Sequence, residues 1–276
     1  MSPEAARGGD LTGRGDGPLR GRTALVTGVS RRSGIGFAVA RRLGELGADL
    51  YLQGWRAHDA GQPWGEDAVS SRDLVEELRE RTGARAKYAE SDLGSPGAPE
   101  RLVSDARRAY GHLDILVANH ARSSLGGAGE IGGLTADEID AHLTVNVRAT
   151  VLLVQALALQ HDGRSGGRVV LFTSGQHLGP MPGELDYAVS KGAVHQMTIP
   201  FASSLIRRGI VLNTVNPGPV DTGYLTGEDR ERVAARFPAG RWGAPEDAAR
   251  LVGWLCTDEA AWVVGQVIDS EGGFRL

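Results

Sequence analysis

The sequence has one cysteine, Cys256, so no intramolecular disulfide can form and the fold must rest on its core. Such usage fits a reducing compartment, and a cytoplasmic location is expected. No apolar run approaches the roughly 20 residues that a membrane-spanning helix needs. The first residues, MSPEAARGGDLTGRGDGPLRG, lack the apolar centre of a signal peptide. Their Gly, Arg and Asp content predicts a disordered leader over residues 1–20, in which the RGD of Arg14–Asp16 is a chance tripeptide. Positive charge is not in excess: the net charge is −4, which offers no basic surface to a nucleic acid. The seven histidines show no metal-ligand spacing and no HExxH occurs, so no metal is expected. No internal repeat or Pro/Ser-rich linker divides the chain, which leaves residues 21–276 as one domain.

What the chain does have is alternation. Short apolar runs predict strands at Thr23–Val26, Asp49–Gln53, Ala86–Ala89, Ile115–Ala118, Arg168–Phe172, Ile210–Val215 and Gln266–Ile268. Longer amphipathic runs predict helices at Ile35–Leu46, Ser70–Arg81, Pro99–Tyr110, Ala136–Gln160, Tyr187–Arg207 and Pro245–Thr257. His58–Asp67, polar and carrying Gly, Pro and Trp, is expected to be a loop. The pattern predicts an α/β fold, a Rossmann-like doubly wound parallel sheet of about seven strands with helices on both faces. The strands are apolar throughout because both faces of such a sheet are covered.

Two stretches carry chemistry. TGVSRRSGIG, Thr27–Gly36, lies between the first strand and the first helix. Glycines there let the backbone approach a pyrophosphate, and the helix N-terminus adds free N–H groups and a positive dipole end. Any tight α/β turn also uses glycine, but the place after the first strand favours a nucleotide. In YAVSK, Tyr187 and Lys191 stand at i and i+4 on one helix face. A nearby ammonium favours a phenolate and lowers the tyrosine pKa, which suits proton transfer near neutral pH. Ser174, just past the fifth strand, has a hydroxyl suited to a substrate carbonyl. Asn146, inside a strongly apolar helix, is a buried amide that needs partners.

Taken together these residues resemble the short-chain dehydrogenase/reductase family, in its 3-oxoacyl-carrier-protein-reductase-like form, over about residues 20 to 275. Thr27-Gly28 and Gly34-Ile35-Gly36 match its glycine motif, with a loop two residues longer that includes Arg31-Arg32. Asp92-Leu93 resembles the family's contact to adenine. VANHA, Val117–Ala121, stands where the family has NNAG: Asn119 matches, while Ala118, His120 and Ala121 depart. His120 is read as a structural residue first and as one facing the nicotinamide second. Asn216–Thr222, with Pro217, Gly218, Val220 and Thr222, resembles the segment that holds the nicotinamide carboxamide. Asn146, Ser174, Tyr187 and Lys191 match the catalytic tetrad in order and spacing.

The resemblance implies a carbonyl reductase or alcohol dehydrogenase. Tyr187 would exchange a proton with the substrate oxygen, Lys191 would lower its pKa and bond the nicotinamide ribose, Ser174 would orient the carbonyl, and Asn146 would hold a water. Relatives that prefer NAD place an acidic residue at the end of the second strand. Here that position is Gly54, followed by Trp55-Arg56, with Arg31-Arg32 in the neighbouring loop. NADP(H) is therefore favoured and NAD(H) is the alternative, with Ser30 and Arg31, Arg32 or Arg56 near the 2′-phosphate. At most one of Arg31 and Arg32 is expected to face inward. His177 and Tyr224, from the stretches 175–186 and 223–242, are expected to touch a small carbonyl or alcohol substrate. Pro200 is expected to disturb its helix without touching the catalytic pair. A homo-oligomer, a tetramer rather than a dimer, is expected through the 136–160 and 187–207 helices. The competing readings are a non-catalytic nucleotide sensor, which loss of Tyr187 or Lys191 would mark, and an epimerase-type relative. The latter would need more than the roughly 60 residues that follow Asn216.

Overall fold

A computed structural model describes residues 17–62, 64–123 and 129–275. The leader through residue 16, and the RGD with it, lies outside the described residues. Seven strands form: β1 Thr23–Thr27, β2 Asp49–Gly54, β3 Ala86–Glu90, β4 Ile115–Ala118, β5 Gly167–Phe172, β6 Ile210–Asn216 and β7 Val267–Asp269. They make one sheet, all parallel, in the order β3-β2-β1-β4-β5-β6-β7. The helices are α1 Ile35–Glu45, α2 Arg56–Ala60, α3 Ser71–Thr82, α4 Ala98–Tyr110, α5 Ala136–His142, α6 Ala149–Gln160, α7 Leu185–Leu205, α8 Gly227–Ala234 and α9 Pro245–Leu255.

Every residue of β1, β4 and β5 is buried, which is why these strands are apolar without alternation. Their side chains still take turns. Ala24 and Val26 point into the core under α1, α3 and α9, while Leu25 points into the core under α4, α6 and α7. The two layers bury the central strands, while the edge strands β3 and β7 are partly exposed, and the carboxyl ends of the central strands open toward one side.

Three expectations are corrected. Leu19 does not belong to a disordered leader: it is fully buried and its N–H bonds Leu46 O at 2.8 Å. Part of the expected 58–67 loop is helix, since α2 covers Arg56–Ala60. A five-residue helix is too short to show a period. The predicted 136–160 helix is interrupted by one π-helical turn, Leu143–Arg148, that carries Asn146. The helix with Pro200 inside it runs on to Leu205. Ala136–Gln160 is long and apolar enough to cross a membrane by length and composition, the one such stretch among the described residues. Its α6 part packs against α4 beside the sheet.

Candidate active site

The strand order reverses between β1 and β4, and a crevice at such a point is where open α/β sheets take ligands. Two cavities lie along it. One, of about 260 Å³, is lined by Gly28, Ser30, Arg31, Gly34 and Ile35 of the glycine loop. Trp55, His58 and Asp59 around α2, and Asp92, Leu93 and Asn119 past β3 and β4, complete it. The other, of about 370 Å³, lies over Ser174 and Tyr187, with Met181, Glu184, Pro217, Gly218, Val220, Thr222, Tyr224, Phe274 and Arg275 around it.

The glycine loop fits a pyrophosphate by its packing. Gly28 has φ +72°, a left-handed conformation that favours glycine. A Cβ on Gly36 would lie 2.3 Å from Gly28 O, so helix and loop meet backbone to backbone. Asn119 Nδ2 donates to Thr27 O and Gly28 O at 3.1 and 3.2 Å and fixes the loop from β4. Helix α1 starts at Gly34 with no side-chain cap, which leaves its first N–H groups to a ligand. Gly36→Ala is expected to weaken dinucleotide binding at least about tenfold by displacing this backbone. Unchanged affinity in calorimetry would show that the loop gives way without loss.

His120 proves structural. It is buried, its Nδ1 lies 2.8 Å from Thr27 Oγ1, and its Nε2 lies 3.1 Å from Val145 O. Bonding a carbonyl makes Nε2 the protonated nitrogen and Nδ1 the acceptor. Burial, and then the Lys191 charge, hold its pKa down at about 3, so the ring stays neutral. It ties the end of β1 to the π turn.

That turn presents Asn146 to three partners. Its Nδ2 donates to Arg122 O at 2.9 Å and to Ser190 Oγ at 2.8 Å, and its Oδ1 accepts from Arg122 N at 2.7 Å. Thr150 Oγ1 donates to Asn146 O at 2.8 Å. The buried amide is thus satisfied, and it joins the loop after β4 to α7.

Ser174 lies two residues past β5 and lines the same cavity as the Tyr187 phenol. Lys191 Nζ lies 5.6 Å from the centre of the Tyr187 ring and donates to Phe172 O at 2.9 Å. Thr173 Oγ1 donates to Lys191 O at 2.9 Å, which clamps α7 to the end of β5. The expected fall in the tyrosine pKa does not occur. Burial, then Glu184, push Tyr187 upward, and Ser174 opposes them. Lys191 is lowered to about 8 by burial. Glu184 is itself raised, by burial first and Asp186 second.

The three arginines separate. Arg31 points across the crevice, with one Nη 2.5 Å from Thr222 O. Arg32 turns out and pairs with Glu77 at 2.8 Å. Arg56 is a correction: its two Nη atoms donate to Val69 O and Asp67 O at 2.6 and 2.8 Å, and it brackets the segment before α3 instead of lining the ligand cavity. A Cβ on Gly54 would lie 2.2 Å from the Tyr88 hydroxyl, so a side chain there requires the end of Tyr88 to move. His177 is the second correction. It pairs with Asp269 at 3.1 Å and packs edge-on against His195, away from the substrate cavity that Tyr224 does line.

Glu138, His142 and Asp186 bring potential ligand atoms within 4.8 Å of one another, the one such group among the described residues. Arg122 holds both Glu138 oxygens at 2.8–2.9 Å, so a guanidinium already supplies the positive charge there.

Sequence reasoning missed Asp59 and His58, which the short α2 turns into the adenosine-side cavity. Asp59 is buried, takes a bond from Trp64 Nε1 at 3.1 Å, and has no partner on Oδ2. A carboxylate in a Trp- and Gly-bearing loop gave no signal. Arg122 and Ser190, the partners of Asn146, were equally invisible.

Comparison with known proteins matches residues 28–275 to the family model described as Enoyl-(Acyl carrier protein) reductase. The uncharacterized oxidoreductase YjdA of Bacillus subtilis (strain 168) is 36% identical over 255 residues, covering 92% of this chain and 96% of the relative. The NADPH-dependent aldehyde reductase-like protein, chloroplastic, of Arabidopsis thaliana is 34% identical over 262 residues, covering 93% and 95%. Among solved structures, a short chain dehydrogenase from Burkholderia cenocepacia J2315 in complex with NADP aligns with a TM-score of 0.82 at 33% identity, covering 94% of this chain and all of that one.

Proposed function

The chain belongs to the short-chain dehydrogenase/reductase family, and from that premise we propose that it transfers a hydride between NADP(H) and a ketone or secondary alcohol. The observation that carries this reading is that Ser174 and Tyr187 line one cavity of about 370 Å³, with Lys191 Nζ 5.6 Å from the centre of the tyrosine ring. The bound nicotinamide dinucleotide supplies or accepts the hydride.

The protein's own groups handle the proton. The substrate oxygen sits between Ser174 and Tyr187, and Ser174 donates to it and fixes its angle. During reduction Tyr187 gives its phenolic proton to that oxygen; in the reverse direction it takes the proton back. Lys191 favours the phenolate that this leaves. Asn146, held by Arg122 and Ser190, keeps the start of α7 at a fixed distance from β4. Its part in this reading is to hold the water through which the proton exchanges with solvent.

NADP(H) is favoured because β2 ends at Gly54 with no carboxylate and because a Burkholderia cenocepacia neighbour binds NADP. The substrate is a mid-sized molecule with apolar parts, to match Met181, Tyr224 and Phe274. Titration with NADPH and NADH by nicotinamide fluorescence tests the reading. Tighter NADPH binding is expected; equal or tighter NADH binding reverses the preference, and binding of neither removes the enzyme assignment.

The same reading makes the enzyme a cytoplasmic homotetramer. Leu159 on α6 and Ile199 on α7 are each 71% exposed in the isolated chain, and Val189 on α7 is 62% exposed. Apolar groups so placed are suited to a second copy. Light scattering is expected to give about four times the 29.1 kDa chain mass; the mass of one chain would sink this part.

A further inference from the structure

We propose that Arg31 is a clasp for the pyrophosphate of the dinucleotide, an inference that rests on the cofactor reading above. The first support is position. Arg31, Ile35 and Thr222 are shared by the adenosine-side cavity and the catalytic cavity. A dinucleotide with its adenosine in one and its nicotinamide in the other must pass its pyrophosphate through that junction. Ile35 is the first residue of α1, so the helix N-terminus points at the same place.

The second support is the guanidinium itself. One Nη reaches Thr222 O at 2.5 Å and Ser33 Oγ at 3.4 Å. Ser33 Oγ also donates to Thr222 O at 3.2 Å. The other Nη and Nε have no partner among the described residues. A half-buried cation with unused donors in fork geometry is matched to phosphate oxygens. The two extra residues of the loop give the side chain its reach across the crevice.

The third support is the backing of the guanidinium. It lies 5.5 Å from the Trp64 ring, and Trp64 Nε1 donates to the buried Asp59. The indole covers one face of the guanidinium. Arg31 thus belongs to the two phosphates common to both cofactors, not to the 2′-phosphate that separates them.

Arg31→Ala separates the possibilities through two fragments measured by calorimetry. ADP-ribose has the pyrophosphate and no 2′-phosphate; 2′-AMP has the 2′-phosphate and neither phosphate of the pyrophosphate. The expected result is a loss of about tenfold or more for ADP-ribose, with 2′-AMP within about twofold of wild type. NADPH and NADH then weaken by the same factor. Arg32→Ala, which removes an outward pair, is expected to leave all four affinities unchanged. Loss confined to 2′-AMP and NADPH would overturn the clasp while leaving the cofactor reading intact. Unchanged binding of every ligand would show that Arg31 only braces Thr222. Failure of the wild-type protein to bind any of them would overturn the cofactor reading, and the clasp with it. The thermal midpoint of Arg31→Ala without nucleotide is expected to match wild type, which excludes misfolding as the cause.

Discussion

Tyr187→Phe is expected to lower kcat for carbonyl reduction by about a thousandfold while leaving NADPH affinity within about threefold. The change removes one oxygen and keeps the ring, so the packing of α7 survives. The phenol lines the cavity together with Ser174, and the buried Lys191 Nζ lies 5.6 Å from the centre of its ring. The structure also limits when the proton moves. Burial and Glu184 favour the phenol form of Tyr187, which is the form that gives a proton in the reducing direction. Steady-state rates with a panel of ketones, together with NADPH titration, check both halves. Full activity in the phenylalanine variant would remove Tyr187 from the chemistry.

Lys191→Met is expected to separate stability from activity. Lys191 is buried, and its pKa lies at about 8 against an ordinary 10.5. The charged form is therefore disfavoured in the folded state. That penalty is present in full below pH 8 and is relieved as the pH rises toward 10.5, where the folded and unfolded proteins both hold a neutral amine. Its size at pH 7 is about 3 kcal/mol, and the lost bond to Phe172 O offsets about 1 kcal/mol of the gain on removing the charge. The variant is expected to be more stable than wild type at pH 7 and to lose that advantage by pH 9.5, while kcat falls at least about a hundredfold. Urea midpoints at the two pH values, read beside kcat, make the test. A variant less stable at pH 7, with a gap that does not change with pH, would contradict the buried-charge account.

The sheet was legible because its strands are buried on both faces and spell out uninterrupted apolar runs. The tetrad was legible as spacing: Tyr187 and Lys191 one turn apart, Ser174 at a strand end, Asn146 in an apolar helix. What escaped was whatever depended on the third dimension. The direction of the Tyr187 pKa follows from burial and Glu184, not from the i, i+4 spacing. Arg31, Arg32 and Arg56 are chemically alike, and only their backbones decide which one crosses the crevice. His177 lay in the right stretch but found Asp269. The π turn at Asn146 has no sequence period to betray it, and α2 is too short to have one.

The strand order has a mechanical meaning. The β1–β4 pair is a seam between two plates, one of β1 to β3 and one of β4 to β7. It is registered over three residue pairs, against five between β1 and β2 and six between β5 and β6. The chain crosses the seam once, through α4, and the contact of α1 with α9 is the main bolt across it. The crevice lies along the seam, so a rod-like occupant touching Gly28 on one plate and Pro217 on the other acts as a splint. Splinting makes the two plates resist separation as one body.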